Sequence, residues 1–268
     1  VEQPSWASVG VDLEPPSVAR VYDYYLGGSH NFAADRQMAR QAIELWPELP
    51  LIMQANRAFL RRSVRYLVSQ GITQFLDIGS GIPTEGNVHE VAQVASPETR
   101  VVYVDIDPVA VAHSREILAG DDRADIVQAD LREVAAIFDD PRTKRLIDPT
   151  QPLGLLMVAI LHFIPNQADA LSIVAQYRKM MVPGSHIAVT HASHAGRPDQ
   201  VGPLTKLYRR TAGPLTMRSP REIEALLDTF DLVPPGVVFL PLWRPDSPAD
   251  VDDHPERSSG YAAVGRVE

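Results

Sequence analysis

Gln74-Phe75-Leu76-Asp77-Ile78-Gly79-Ser80-Gly81-Ile82-Pro83-Thr84 is the stretch whose reading decides the fold. A short apolar run ends in an acid and breaks into two glycines one residue apart, and a helical pattern resumes near Asn87. That order describes a buried strand, a tight turn with room for a ligand, and a helix whose free N–H groups point back at the turn. A second apolar run, Val101-Val102-Tyr103-Val104, ends in Asp105 about twenty residues later. Together the two describe a nucleotide-type ligand lying across the carboxyl ends of a parallel sheet.

The same alternation continues outward. Strands are expected at 74–78, 100–105, 124–128, 153–158 and 185–190, with helices at 86–96, 108–119 and 166–181, a pattern that calls for a parallel sheet covered on both faces. Leu131 to Pro152 reads as a short helix and a proline-bounded loop. Before the first strand come about seventy residues of helical pattern: one helix after Ser17, a break at Gly27-Gly28, a second helix capped by Asn31 and running from Phe32 to Trp46, and a third from Leu51 to Ser69. After a polar segment, Ser219-Pro220-Arg221-Glu222 forms an N-cap, a first-turn proline and a capping-box acid, opening a helix over 220–229. Two last strands, 232–240 and 260–266, flank the proline-rich, acidic Pro241–Ser259. No crossover helix fits there, so the pair is expected to be antiparallel.

With 268 residues and 45% hydrophobic content the chain can bury one large core. It has no cysteine, which excludes disulfides and thiolate ligands. A net charge of −9 argues against a general nucleic-acid or anionic-membrane surface. The longest apolar run, Leu153 to Leu161, is too short to span a bilayer, and Val1-Glu2-Gln3-Pro4 is not a secretory start. The chain opens on Val1 instead of a methionine, so a processed or trimmed start is expected. A cytoplasmic protein is expected, monomeric or homodimeric, acting on a small molecule and not on nucleic acid or membrane.

A dinucleotide fingerprint would place a third glycine three residues after Gly81, where Thr84 stands. Asp77 enters the loop and Glu85 leaves it, acids that a pyrophosphate disfavours and a cationic ammonium group favours. Adenosine, ribose and an amino acid together suggest S-adenosylmethionine. Asp105 can accept both hydroxyls of a ribose, and Asp107 is better placed to cap the next helix.

At this point the chain resembles class I S-adenosylmethionine-dependent methyltransferases, and more closely the actinobacterial S-adenosyl methyltransferase family once catalogued as a domain of unknown function. The resemblance rests on Ala19–Gly28 (ARVYDYYLGG), Asn31–Arg36 (NFAADR), Asp77–Thr84, Val102–Asp105, Ala129–Arg132, Leu161-His162-Phe163, Pro183-Gly184-Ser185, and Trp243-Arg244-Pro245 with Tyr261. It implies an α/β, Rossmann-like class I methyltransferase fold: a seven-stranded, mostly parallel sheet of order 3-2-1-4-5-7-6 with helices on both faces. Residues 1–72 would form an N-terminal helical extension and cofactor lid over a core of 73–268, with 191–218 as a substrate-side insertion. It also implies S-adenosyl-L-methionine as cofactor and S-adenosyl-L-homocysteine as product. Asp77, Gly79, Ser80 and Gly81 would line the amino-acid end and Asp105 would hold the ribose diol; Ile106 would lie by the adenine, and Asp130 would accept from its amino group with Leu131 nearby. It brings Arg20, His30 and Asn31 to the cofactor site as part of the lid. Pro83 departs from the third glycine of many such loops and stiffens the turn.

Methyl transfer from a sulfonium needs alignment above all, so the lack of a catalytic triad does not count against it. Three residues stand out as catalytic candidates: His162 after strand four, His191 after strand five, and Tyr22 on the first helix. Tyr22 equally suits a core position at helical spacing, and His162 equally suits a packed histidine. His191 and His194 with His186 raise a metal site, but His186 lies inside the strand and no carboxylate neighbours them. Two alternatives stay open: an NAD(P)-dependent oxidoreductase, and a catalytically silent adenosyl-ligand-binding protein acting through a partner.

Overall fold

The computed structural model describes residues 15–83, 86–211 and 213–268. Thr84 and Glu85, on which part of the loop reading rested, lie outside the described residues.

Three helices come first: α1 (Val18–Tyr25), α2 (Ala33–Leu45) and α3 (Leu49–Ser69). The alternating part follows as β1 (Gln74–Ile78), α4 (Val88–Ala95), β2 (Arg100–Asp105), α5 (Pro108–Ile117) and β3 (Ala124–Gln128). Two short helices, α6 (Val134–Asp139) and α7 (Pro141–Leu146), then lead to β4 (Gly154–Val158), α8 (Gln167–Lys179) and β5 (His186–Ala192). The chain ends with α9 (Pro198–Tyr208), α10 (Pro220–Ala225), β6 (Asp231–Leu232), β7 (Val238–Phe239) and β8 (Gly260–Arg266).

The sheet runs β3-β2-β1-β4-β5-β8-β6, with β7 also paired to β8. β1 to β5 are parallel, and β8 enters antiparallel between β5 and the β6–β7 edge. The expected continuous strand 232–240 is two two-residue pieces on one line. Pro234 and Pro235 offer no N–H to the ladder, and Gly236, at φ 84°, turns the chain back with its N–H on Val233 O. Counted as one interrupted strand, β6 and β7 complete the expected seven-strand order.

Every residue of β1 is buried, as a central strand covered on both faces requires. Leu76 and Ile78 face a core shared with α6, α7 and α8; Phe75 faces a second core built on α3, α4 and α5. Period-two alternation puts Asp77 on the α3 side with Phe75, in register with Tyr103 of β2. α3 buries Leu60, Val64 and Leu67, spaced one turn apart, against this sheet face. It also gathers the C-terminal segment: Arg62 donates to Trp243 O and Leu240 O at 3.0 Å each, and Trp243 packs edge-on against Phe59 and Tyr66.

A third apolar cluster joins α1 and α2 to α9 through Val21, Tyr25, Met38, Leu204 and Tyr208. The N-cap of α2 is Phe32, one residue beyond the expected Asn31, because Asp35 reaches back to take the Phe32 N–H at 2.8 Å. Asp35 also accepts from Ser17 N and from Arg20 Nε, each at 2.9 Å. Both Arg20 and Asp35 are buried, so removal of the acid strips the guanidinium of its nearer carboxylate and leaves only Asp107, at 3.4 Å, beside it. Asp35→Ala is expected to cost about 3–5 kcal/mol in urea unfolding. Asp246→Ala, which breaks a pair between Arg65 and an acid that are 44% and 66% exposed, is expected to cost under about 1 kcal/mol.

Candidate functional site

β1 lies at the point where strand order reverses, with β2 and β3 on one side and β4 and β5 on the other. Connections leave such a point in opposite directions and open a crevice at the carboxyl ends of the strands. A cavity of about 680 Å³ occupies that crevice, roofed by α1, α3 and α9. Its wall includes Arg20, Tyr22, Asp77, Gly79, Ser80, Gly81, Asp105, Ile106, Asp130, Leu131, His162 and His191.

The glycine turn is built by its backbone. Gly79 and Gly81 have φ of 71° and 68°, the left-handed region that favours glycine. A Cβ on Gly79 would come within 2.5 Å of Ile160 Cδ1, whereas one on Gly81 would meet nothing within 4 Å. The first is therefore a close-packing glycine and the second a conformational one beside open space. Val104 O holds the turn against β2 by accepting from Gly79 N and Ser80 N at 2.8 and 3.1 Å.

Asp105 closes the turn from the other side. One of its oxygens accepts from Gly81 N at 2.7 Å and the other from Asp107 N at 2.8 Å. Burial pushes its pKa up to about 6, against the pull of those N–H groups. Asp77 is pushed up to about 7 by burial, with the Arg57 guanidinium opposing the rise and Asp105 adding to it. The side chain of Ile106 is 61% exposed although apolar, and it borders the cavity beside Asp105. Across from it, Asp130 takes the fork of Arg132, which holds its pKa below the usual carboxylate range, and Leu131 accepts from Tyr177 Oη at 3.0 Å.

Arg57 was absent from the sequence reading. It stands on α3, on the sheet face that Asp77 shares, lines the cavity, and donates to Gly86 O at 3.2 Å. Its Nε is buried with no hydrogen-bond partner, as is the hydroxyl of Ser80 on the turn itself. A buried orphan donor beside a buried acid and an orphan hydroxyl is a set that a zwitterionic amino acid satisfies. These residues thus fit the methionine end of S-adenosylmethionine, and the Asp105–Ile106–Leu131 wall fits a ribose and a flat base. The apolar pattern of α3 gave no hint of Arg57, because one arginine on an amphipathic helix has no distinguishing spacing.

Arg20 lines the cavity with its charge already met by Asp35 and, at 3.4 Å, by Asp107. His30 and Asn31 do not line it among the described residues. Asn31 Nδ2 donates to Asp23 Oδ2 and Gly28 O at 2.8 and 2.9 Å, so it builds the Gly27-Gly28 turn, and His30 lies against His113 with ring centres 3.7 Å apart and planes tilted by 32°.

The catalytic candidates converge on the β4–β5 side but are not equally free. His191 has both ring nitrogens engaged: Nδ1 donates to Ala192 O and Nε2 accepts from Arg218 Nη1, each at 2.7 Å. Burial and the guanidinium push its pKa down to about 4, and no lone pair is left to take a substrate proton. Tyr22 is likewise held, donating to Met53 O at 3.3 Å and accepting from Asn56 Nδ2 at 2.9 Å. His162 lies buried in the loop after β4 with its pKa well below the usual histidine range, through burial first and then its neighbours His191 and Arg218. Its Nδ1 accepts from Ala192 N at 3.4 Å, which places the proton on Nε2. His186 sits five residues from His191 at the far end of β5, so strand geometry separates the histidines that had raised a metal site.

Arg218, 2% exposed, is a second residue the sequence did not single out. Besides His191 it donates to Leu161 O and Ile164 O at 3.1 and 2.7 Å and to Gln167, clamping the loop that carries His162.

The chain matches the S-adenosyl methyltransferase family over residues 4–268. A protein of Thermobifida fusca YX, assigned as a methyltransferase, is 41% identical over 99% of this chain and 100% of its own, with a TM-score of 0.92. A DUF574 family protein of Streptomyces avermitilis MA-4680 is 37% identical over 96% and 99%, also with a TM-score of 0.92. No curated protein matches the chain. A family match that spans the turn, the paired acids and the helical roof together sets the oxidoreductase alternative aside: the chain belongs to the S-adenosyl methyltransferase family and is an S-adenosylmethionine-dependent methyltransferase.

Proposed function

We propose that the chain transfers a methyl group to a small molecule held in the β4–β5 half of the cavity, with the cofactor in the β1–β3 half. The observation that carries this reading is the continuity of the cavity from the buried acids of the glycine turn to the apolar space under α1, α3 and α9. When bound, S-adenosylmethionine supplies a methyl carbon activated by the adjacent sulfonium. In this reading Asp105 holds the ribose diol, Ile106 and Leu131 flank the adenine, and Asp130 accepts from its amino group. Asp77 faces the ammonium group, Arg57 the carboxylate, and the Gly79–Gly81 turn provides the close backbone approach. Arg20 acts as a positioning residue by fixing the helical roof, and residues 1–72 act as a lid whose substrate side is completed by 191–218. His162 presents a neutral N–H to the acceptor side and takes no proton; His191 positions it through Arg218.

Among the described residues no helix is long and apolar enough to cross a membrane. The net charge of −9 supports a small-molecule acceptor over nucleic acid and agrees with a cytoplasmic setting, as a monomer or homodimer.

Two measurements test the cofactor half. Asp105→Ala is expected to weaken S-adenosylhomocysteine binding by about 1–3 kcal/mol in titration calorimetry, the loss of charge-assisted hydrogen bonds. Unchanged affinity in a folded variant refutes the ribose assignment. The second uses pH. With Asp77 raised to about 7 in the free protein, the ligand's ammonium group favours the ionised acid, so binding below that pH must expel a proton. Affinity is therefore expected to fall by up to about tenfold per pH unit below 7 and to level off above it. Asp77→Asn should flatten the profile; a profile unchanged by that substitution assigns the proton to another group. For folding itself the sign is opposite. A carboxyl raised in the folded state adds stability below its unfolded pKa, and that contribution is lost as pH rises through 7.

A further inference from the structure

The charged groups in the cavity wall keep to one side. They are those described around the glycine turn and the ends of β2 and β3, together with Asp169 on α8, the helix that Tyr177 ties to Leu131. The wall on the opposite side, drawn from the end of α2, the first turns of α3 before Arg57, the loop after β4, α9 and residues 213–217, carries no charged side chain among the described residues. Trp46, Met53, Phe163, Tyr208, Leu215 and Met217 make up much of it.

The polar side chains in that half are largely committed to one another. Ala159 N donates to Thr190 Oγ1 at 2.8 Å, Thr190 Oγ1 to Asn56 Oδ1 at 2.7 Å, Asn56 Nδ2 to Tyr22 Oη, and Tyr22 Oη to Met53 O. Each member of this chain uses its hydroxyl or amide within the protein. Tyr208 bonds to Tyr25 Oη at 3.1 Å, and burial pushes its pKa up to about 12, so its hydroxyl stays neutral. Two N–H donors are left over. Trp46 Nε1 is buried with no partner, and His162 Nε2–H is the ring atom that nothing in the described protein engages.

Resting on the methyl-transfer reading, we infer that the acceptor is an uncharged, ring-sized apolar molecule that presents hydrogen-bond-accepting oxygen to the Trp46 and His162 donors. A carboxylate, phosphate or ammonium on that molecule would enter a wall with no charged side chain to pair with it, and a desolvated, unpaired charge costs several kcal/mol that two neutral donors do not offset. An apolar ring with a hydroxyl, ether or carbonyl oxygen loses only its hydration and gains the two orphan donors.

Matched probes test this. Titration calorimetry of S-adenosylhomocysteine comes first, since absence of that binding overturns the methyltransferase reading and the inference with it. On the protein saturated with S-adenosylhomocysteine, 2-naphthol, 2-naphthoate and 2-naphthylmethylammonium share one ring system and differ in charge at pH 7. The naphthol is expected to bind at least about tenfold more tightly than either ion, the minimum that one unpaired charge implies. S-adenosylhomocysteine binding with equal or tighter binding of an ion, or with no binding of any probe, overturns the inference and leaves the methyltransferase reading standing. Leu215→Arg, placed in a loop, is expected to reverse the preference toward 2-naphthoate while S-adenosylhomocysteine affinity is kept. A variant that keeps the neutral preference shows that the probe lies elsewhere.

Discussion

The carboxylate of Asp107 joins the two parts of the molecule that have to meet for a cofactor to be enclosed. One oxygen caps α5, accepting from Val109 N at 2.8 Å and Ala110 N at 3.3 Å, and so fixes the loop that follows β2. The other accepts from the hydroxyl of Ser17 and from Arg20 Nη1, both belonging to the start of the helical roof. Its own N–H points at Asp105, which in turn holds Gly81. From the glycine turn to the roof there are thus three carboxylates, Asp105, Asp107 and Asp35, bridged by backbone N–H groups and by one buried arginine. Each acid by itself would be costly to bury; linked in this way, each one's lone pairs are satisfied by groups that also need a partner.

That arrangement explains which parts of the fold were legible in the sequence. Strand–turn–helix units announce themselves through local chemistry: apolar runs of five or six residues, glycines where φ must be positive, and Asp107 and Ser219 at helix starts. The seven-strand order followed from the family resemblance and from the short, helix-free link before β8. The split of the sixth strand was not foreseen because Val233 to Gly236 reads as strand-compatible at its apolar end, while the ladder is lost through prolines without N–H groups. Local pattern also misplaced the start of α2, where the deciding acid, Asp35, is set by its distant partners Ser17 and Arg20 and not by spacing alone.

The site was legible in a more uneven way. Residues at strand ends, such as Asp77, Asp105 and Asp130, come to the cavity because strand polarity carries them there, whatever the rest of the chain does. Residues on helices are different. His30 and Asn31, ten and eleven positions after Arg20 in the link between α1 and α2, are turned toward His113 and the Gly27-Gly28 bend, while Arg57 of α3 lines the cavity beside the glycine turn. Which face a helical residue presents depends on packing against the sheet, and a polar residue carries little periodic signal to reveal it.

Histidines at the ends of β4 and β5 invite an acid–base mechanism, yet their surroundings argue for a different division of labour. Among the described residues Arg218 is buried with no carboxylate bonded to it, and it spends its donors on two loop carbonyls, on Gln167 at the start of α8 and on the one lone pair of His191. A base whose lone pair is filled by a guanidinium, with a pKa held near 4, cannot collect a proton at neutral pH. Burial first, then His191 and the same guanidinium, lower the pKa of His162, and the guanidinium also fixes the loop on which it stands. Ala159, just before that loop, holds a left-handed φ of 58° that costs an alanine on the order of 1 kcal/mol, and the Thr190 hydroxyl accepts its N–H. Strain, a buried cation and a saturated hydrogen-bond chain all act on the same few residues, and none of them supplies a proton acceptor. Their common effect is to keep one wall of the cavity fixed and uncharged beside the cofactor half. For a reaction in which the electrophile brings its own activation, a fixed and neutral wall is what alignment requires.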